Sequence, residues 1–181
     1  IDDKKGFKIA KRKEDKASVD IDGGGADIQA PGRKWVLTVF DYKGYADQGN
    51  AGEVLADKIT NSVIKVSLQT NLVKMVPAWK QEKIAPMLKR DFGEDNRKYL
   101  HRLGTTLGTD YILIGAVRIR GEGAFLVQSQ LFDVQARSFV LNTRTLGNQN
   151  DINAGVRKHL KQYRKDFAKA VQKKKSSVPV Q

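Results

Sequence analysis

The stretch GTDYILIGAVRIRGEGAFLVQSQLFDV, residues 108–134, constrains the fold more than any other part of the chain. Apolar and polar side chains alternate at Val117-Arg118-Ile119-Arg120 after the apolar run 111–117, the chain passes Gly121-Glu122-Gly123, and a second largely apolar run interrupted by Gln128 and Gln130 follows over residues 124–133. A period of two sends successive side chains to opposite faces, so each half is a strand with a buried face. A glycine-bounded turn between two such strands makes an antiparallel hairpin. A further turn over residues 134–137 leads into SFVLNTRTL, residues 138–146, which extends the hairpin to a three-strand meander.

The rest of the chain alternates between strand and helix. WVLTVFDY, residues 35–42, is β-branched and aromatic and reads as a buried strand that ends in the polar loop KGYADQGNAGE. Leu55, Ile59, Ser62, Val63 and Val66 then fall at helical spacing, which predicts a helix of about five turns ending near Asn71. LVKMV, residues 72–76, is a short strand stopped by Pro77. A weaker helix over residues 78–90 is broken or kinked by Pro86, because proline removes a backbone donor and clashes with the preceding turn. Asp95 or Asn96 caps the next helix, striped by Leu100, Leu103 and Leu107 and ended by Gly108. A last helix, capped by Asn150 or Asp151, carries the stripe Ile152, Val156, Leu160, Tyr163, Phe167 and Val171, and KKKSSVPVQ frays from its end. The predicted class is therefore α/β, an α+β sandwich in the order βαβααβββα. Its mixed sheet ends in a three-strand antiparallel meander, with helices packed on it.

Charge divides the chain into three parts. Residues 1–33 form a charged N-terminal arm with eight basic and seven acidic side chains; taken alone it reads as flexible, and the candidate to hold it in order is a neighbouring subunit. Residues 34–150 form the compact domain. Residues 151–181, a basic amphipathic helix and tail, carry nine basic and two acidic side chains, more than half of the chain's net charge of +13. Arg157, Lys158, Lys161, Arg164, Lys165 and Lys169 lie away from the apolar stripe, so they are candidates for binding a partner or a polyanion, or simply form a solvated face. Cysteine is absent, which excludes disulfides and thiolate metal sites. No apolar run approaches the ~18 residues that cross a bilayer.

Catalytic and cofactor motifs fail on inspection. Gly44 and Gly49 have phosphate-loop spacing, but Asn50 and Ala51 stand where lysine and a hydroxyl residue are needed. Gly121-x-Gly123 opens a strand rather than a helix, so it is not a dinucleotide fingerprint. His101 and His159 sit on different helices among basic residues, without a second ligand at metal spacing, and are expected to be exposed. Ser62, Ser67, Ser129 and Ser138 lack a nucleophile elbow, and Asp110 and Asp133 suit strand-end or turn roles. Trp35, Phe40, Phe125, Phe132 and Phe139 read as core rather than as base-stacking aromatics, which speaks against specific nucleic-acid readout. The expectation is a non-enzyme with no cofactor, no metal and no small-molecule substrate.

Several spaced segments together resemble a known family. VLTVFDYKG, AGEVLADKITNSVI, YLHRLGTTLGTDYILIGAVRI and LVQSQLFDVQARSFVLNTRTLG follow, in order, the pattern of the TolB N-terminal/CsgG-like domain family of bacterial envelope proteins. Leu107, Gly108, Tyr111, Ile112, Leu113 and Gly115 match its L-G-x-x-Y-[IV]-[LI]-x-G signature, and Gln130, Leu131 and Asp133 match its Q-L-x-[DN] strand. The resemblance covers residues 34–147, about two-thirds of the chain. It implies a periplasmic chain, or one anchored to the outer membrane through residues before Ile1. The partners it implies are copies of itself or other envelope proteins, in a ring, a flagellar apparatus or an export apparatus. No hairpin is long enough to line a transmembrane barrel of the CsgG kind. Two alternatives stand beside an assembly component: a monomeric regulator of a cell-wall synthase, and a module binding an anionic polymer or membrane surface through the last helix.

Overall fold

The structure is a computed structural model that describes residues 8–10, 18–21, 33–87 and 95–177. The expected α/β class is what forms. Six strands make one mixed sheet: β1 (Trp35–Val39), β2 (Lys43–Tyr45), β3 (Val73–Met75), β4 (Tyr111–Ile119), β5 (Ala124–Asp133) and β6 (Ser138–Asn148). Their spatial order is β3-β1-β4-β5-β6, with β1 beside the first half of β4 and β2 beside its second half. β1 to β4 run parallel where they pair, whereas β4, β5 and β6 form the antiparallel meander.

Four helices cover the sheet: α1 (Ala51–Gln69), α2 (Ala78–Gln81), α3 (Asn96–Leu107) and α4 (Ile152–Ser177). One face packs on α1 and α4 through Leu37, Val39, Leu113, Val117, Phe125 and Leu131, against Ile59, Val63, Leu160 and Phe167. The other packs on α3 and the α2 region through Phe40, Ile112 and Phe132, against Leu100, Leu103 and Ile84. The helix ends follow their sequence signals. Asp95 accepts a hydrogen bond from the Arg97 N–H at 2.6 Å, Gly108 takes the left-handed conformation (φ 66°), and Asn71 does the same after α1 (φ 57°). The Asp151 carboxylate accepts from the Ala154 N–H at 3.1 Å, in the first turn of α4.

Some elements depart from the expected order. KGY is a short strand rather than a loop, so two strands precede α1. Gly44 makes this pairing fit: a Cβ there would lie 2.1 Å from the Gly52 carbonyl oxygen, so only a glycine lets β2 lie against the start of α1. α2 has one turn and continues as a 3-10 helix, Glu82–Met87, which contains Pro86. α4 continues through Ser177, so the first five residues of the expected frayed tail are helical. Trp35 and Phe139 are half-buried and pack against the edge of the core.

The described parts of the N-terminal arm are held by the domain itself. Ile9 bridges Phe40, the Ala10 N–H donates to the Val39 carbonyl at 2.8 Å, and the Val19 N–H donates to Ser62 Oγ at 2.8 Å. Ala10, Val19 and Ile21 are buried in the α1–α4 core, and the Asp20 carboxylate pairs with the Lys65 ammonium on α1. A few apolar side chains spaced through a charged segment are enough to dock it, and no neighbouring subunit is needed for these stretches.

Gly115 sets the spacing of the core. A Cβ on it would lie 2.2 Å from the Tyr42 ring, so Tyr42 stacks directly on the β4 backbone. The Gly115→Ala variant is expected to lose about 1–3 kcal/mol of stability in urea unfolding, because the ring has to move out of a filled core. Unchanged stability would show that Tyr42 does not lie there.

Candidate functional site: a buried polar chain and a basic helix face

The fold brings one group of reactive side chain types together. Tyr42 Oη lies 2.5 Å from Ser129 Oγ, Ser129 Oγ lies 2.8 Å from His159 Nε2, and His159 Nδ1 lies 2.9 Å from Thr145 Oγ1. Four elements supply them: the segment after β1, then β5, α4 and β6. The alternation of β5 turns Ser129 inward with Phe125, Val127 and Leu131. His159 faces inward because it lies three residues after Val156 and four before Tyr163, on the apolar stripe.

The expectation that His159 is exposed is therefore wrong: its side chain, like that of Ser129, is 0% exposed. Burial pulls the His159 pKa down to about 4, with Asp166 opposing the shift, so the imidazole is neutral at pH 7. The chain is satisfied when Tyr42 donates to Ser129, Ser129 donates to Nε2 and the Nδ1–H donates to Thr145. His101 also departs from expectation, being half-buried with Nδ1 at 2.8 Å from the Val134 carbonyl oxygen.

Ser129 and His159 stand at the distance of a nucleophile and its general base. The surroundings suit structure better than catalysis. The partner that orients the histidine is a hydroxyl, where an acyl-transfer triad has a carboxylate to stabilise the imidazolium. Tyr42 lies against the serine oxygen, and none of the three is open to a substrate. Asp166, the nearby acid, instead accepts hydrogen bonds from Thr143 at 2.7 Å and Gln162 at 2.9 Å. A second buried contact, Tyr163 Oη to Ser67 Oγ at 2.6 Å, ties α4 to α1. What these groups accomplish is to fix the rotation and depth of α4.

The sequence-predicted binding residues lie on the other side of that helix. Arg157, Lys158, Lys161, Lys165 and Lys169 are exposed and Arg164 is half-exposed, spread over about 18 Å of helix. Among the described residues, none of the six has an ion pair. No group of three His, Asp or Glu side chains gathers at metal-binding distances among the described residues.

The chain superposes on solved structures of low sequence identity. The LpoB C-terminal domain from Escherichia coli is 15% identical at a TM-score of 0.44, covering 69% of this chain and 89% of that one. The PelC dodecamer from Paraburkholderia phytofirmans is 18% identical at 0.38, covering 70% and 84%. TolB from Acinetobacter baumannii is 14% identical at 0.45, covering 78% of this chain and 29% of that one. No protein-family model matches the sequence, and no curated protein matches it.

The segments that carry the signature act as scaffold. Leu107 is buried and Gly108 ends α3. Asp110 accepts from the Val36 N–H at 2.8 Å and returns its own N–H to the Val36 carbonyl at 2.9 Å, which locks β4 to β1. Asp133 accepts from the Ala136 N–H at 3.0 Å, shaping the turn before β6. The strand-end and turn roles expected of these two aspartates are the ones they fill.

The low pKa of His159 has a signed consequence. Its folded value, about 4, is depressed below the ordinary 6.5, so the unfolded chain binds the proton first as pH falls. The stability contributed by the neutral histidine is complete above pH 6.5 and is lost between about pH 6.5 and 4, amounting to about 3 kcal/mol. The difference in unfolding free energy between the protein and its His159→Gln variant should narrow by that amount across this window. A constant difference would place the imidazole in solvent.

Proposed function

We propose that this chain is a non-enzymatic assembly component of the bacterial cell envelope, periplasmic or associated with the outer membrane. Its α/β domain serves as an interaction module within a ring or multiprotein complex, in a flagellar, export or secretion apparatus. The observation that carries the non-enzymatic reading is the fate of the reactive pair: Ser129 and His159 are fully buried and engaged by Tyr42 and Thr145. The envelope location rests on the L-G-x-x-Y and Q-L-x-D segments, whose residues build the scaffold described above. The signature therefore points to a shared framework, and the specific task lies on the surface.

Two measurements test this. Particles purified from the native host in mild detergent should appear in electron micrographs as rings or multiprotein assemblies; isolated monomers alone would contradict the proposal. A fluorophosphonate probe should leave Ser129 unmodified in the native protein, because the hydroxyl has no path to the reagent. Stoichiometric labelling there would revive a hydrolase.

A second reading is favoured by the six cations on α4 that lack carboxylate partners among the described residues. Such a face suits a polyanion such as an acidic polysaccharide or an anionic membrane surface. Binding of this kind releases counterions, so affinity for alginate should fall steeply with salt and drop in the Lys161→Glu/Lys165→Glu variant. Binding that is indifferent to salt, or that survives this variant, would remove the reading.

A further inference from the structure

The second face of the sheet is only partly roofed. α3 and the α2 region cover it as far as Ile112, Ile114 and Phe132, and beyond them the strands carry side chains with no helix above among the described residues. The pairing register places Tyr45, Arg118, Leu126 and Leu146 side by side in one row across β2, β4, β5 and β6. The next row but one toward α3 brings Gln128 beside Arg144 on the same face. Arg118 and Arg144 are exposed, Leu146 is 59% exposed, and the Arg118 guanidinium lies 5.1 Å from the Tyr45 ring centroid. The opposite face at these positions, including Val117, Val127 and Thr145, is buried under α1 and α4.

We infer that this open face is a docking surface for an acidic protein segment that also carries large apolar side chains. Charge selects the occupant: these two rows hold two guanidiniums and no carboxylate, and neither arginine has an ion pair among the described residues. A second copy of this chain is disfavoured, because the net charge is +13 and a two-fold pairing would set guanidinium against guanidinium. A polysaccharide would satisfy the arginines but would leave Leu126 and Leu146 without apolar cover. A polypeptide satisfies both, its carboxylates forking onto the arginines and its apolar side chains closing over the leucines. The surface rests on the interaction-module reading and gives it a location and a partner chemistry, separate from the basic face of α4.

The experiment uses the full chain and a fluorescent synthetic peptide of alternating glutamate and leucine, with polyglutamate of equal length as the charge-only control. The alternating peptide should bind and outcompete polyglutamate. Arg118→Glu/Arg144→Glu and Leu146→Ser should each weaken it by about tenfold or more, while Lys161→Glu/Lys165→Glu leaves it within about twofold. These are exposed positions, and circular dichroism confirms that the variants fold. Equal binding of polyglutamate that is lost in Arg118→Glu/Arg144→Glu would make the face a polyanion site and overturn the proposal, as would no binding of the alternating peptide at about 1 mM. Loss of binding only in the α4 variant would overturn this surface and leave the interaction-module reading intact, since particle imaging decides that separately.

Discussion

A histidine that must stay uncharged lies between the longest helix and the sheet, and the arrangement of the domain follows from satisfying it. His159 has two ring nitrogens and is fully buried, so it needs one donor and one acceptor at fixed positions. Ser129 and Thr145 occupy those positions from adjacent strands, which sets the register of β5 and β6 relative to α4. Ser129 in turn engages Tyr42, whose ring reaches it only because Gly115 leaves room on β4. One buried chain thus couples the segment after β1, β5, β6 and α4, with the Tyr42 ring lying on β4. Breaking any member leaves a polar group buried and unpaired, which costs about 1–3 kcal/mol.

The same coupling explains how the molecule divides its work. Ser129 and His159, whose side chain types could perform nucleophilic and acid–base chemistry, hold elements together instead. Cations face solvent on the outer face of α4, and cations with a few apolar side chains do so on the unroofed part of the sheet. Such surfaces suit recognition by charge and shape, and they lie on rigid elements whose orientation the buried chain fixes. The arginines on β4 and β6 and the lysines on α4 occupy different sides of the sheet, so one partner need not exclude another.

Much of the architecture was legible in the sequence because it depends on local periodicity. The alternation around Gly121-Glu122-Gly123 specifies the hairpin, the stripe from Val156 to Val171 specifies the buried face of α4, and Asp95 and Gly108 mark the ends of α3. The misread features depend on contacts distant in sequence. KGY became a strand because Gly44 and Gly52 permit close approach, a fact visible only once α1 is in place. The docking of Ile9, Val19 and Ile21 was hidden by the charges around them. His159 was legible in principle, since its spacing from Val156 and Tyr163 places it on the apolar stripe, but residue type suggested exposure. The open sheet face emerges only when the registers of four strands are combined.

The most direct test of the buried chain is the titration of the His159 ring followed by its imidazole nitrogen resonances. A neutral imidazole, held in one tautomer and remaining uncharged through pH 5, is the expected result, with protonation only near pH 4. Protonation near the ordinary value of 6.5, or rapid averaging of the two tautomers at pH 7, would contradict it. The histidine would then be in contact with water, and the Ser129–His159 pair would again be open to chemistry.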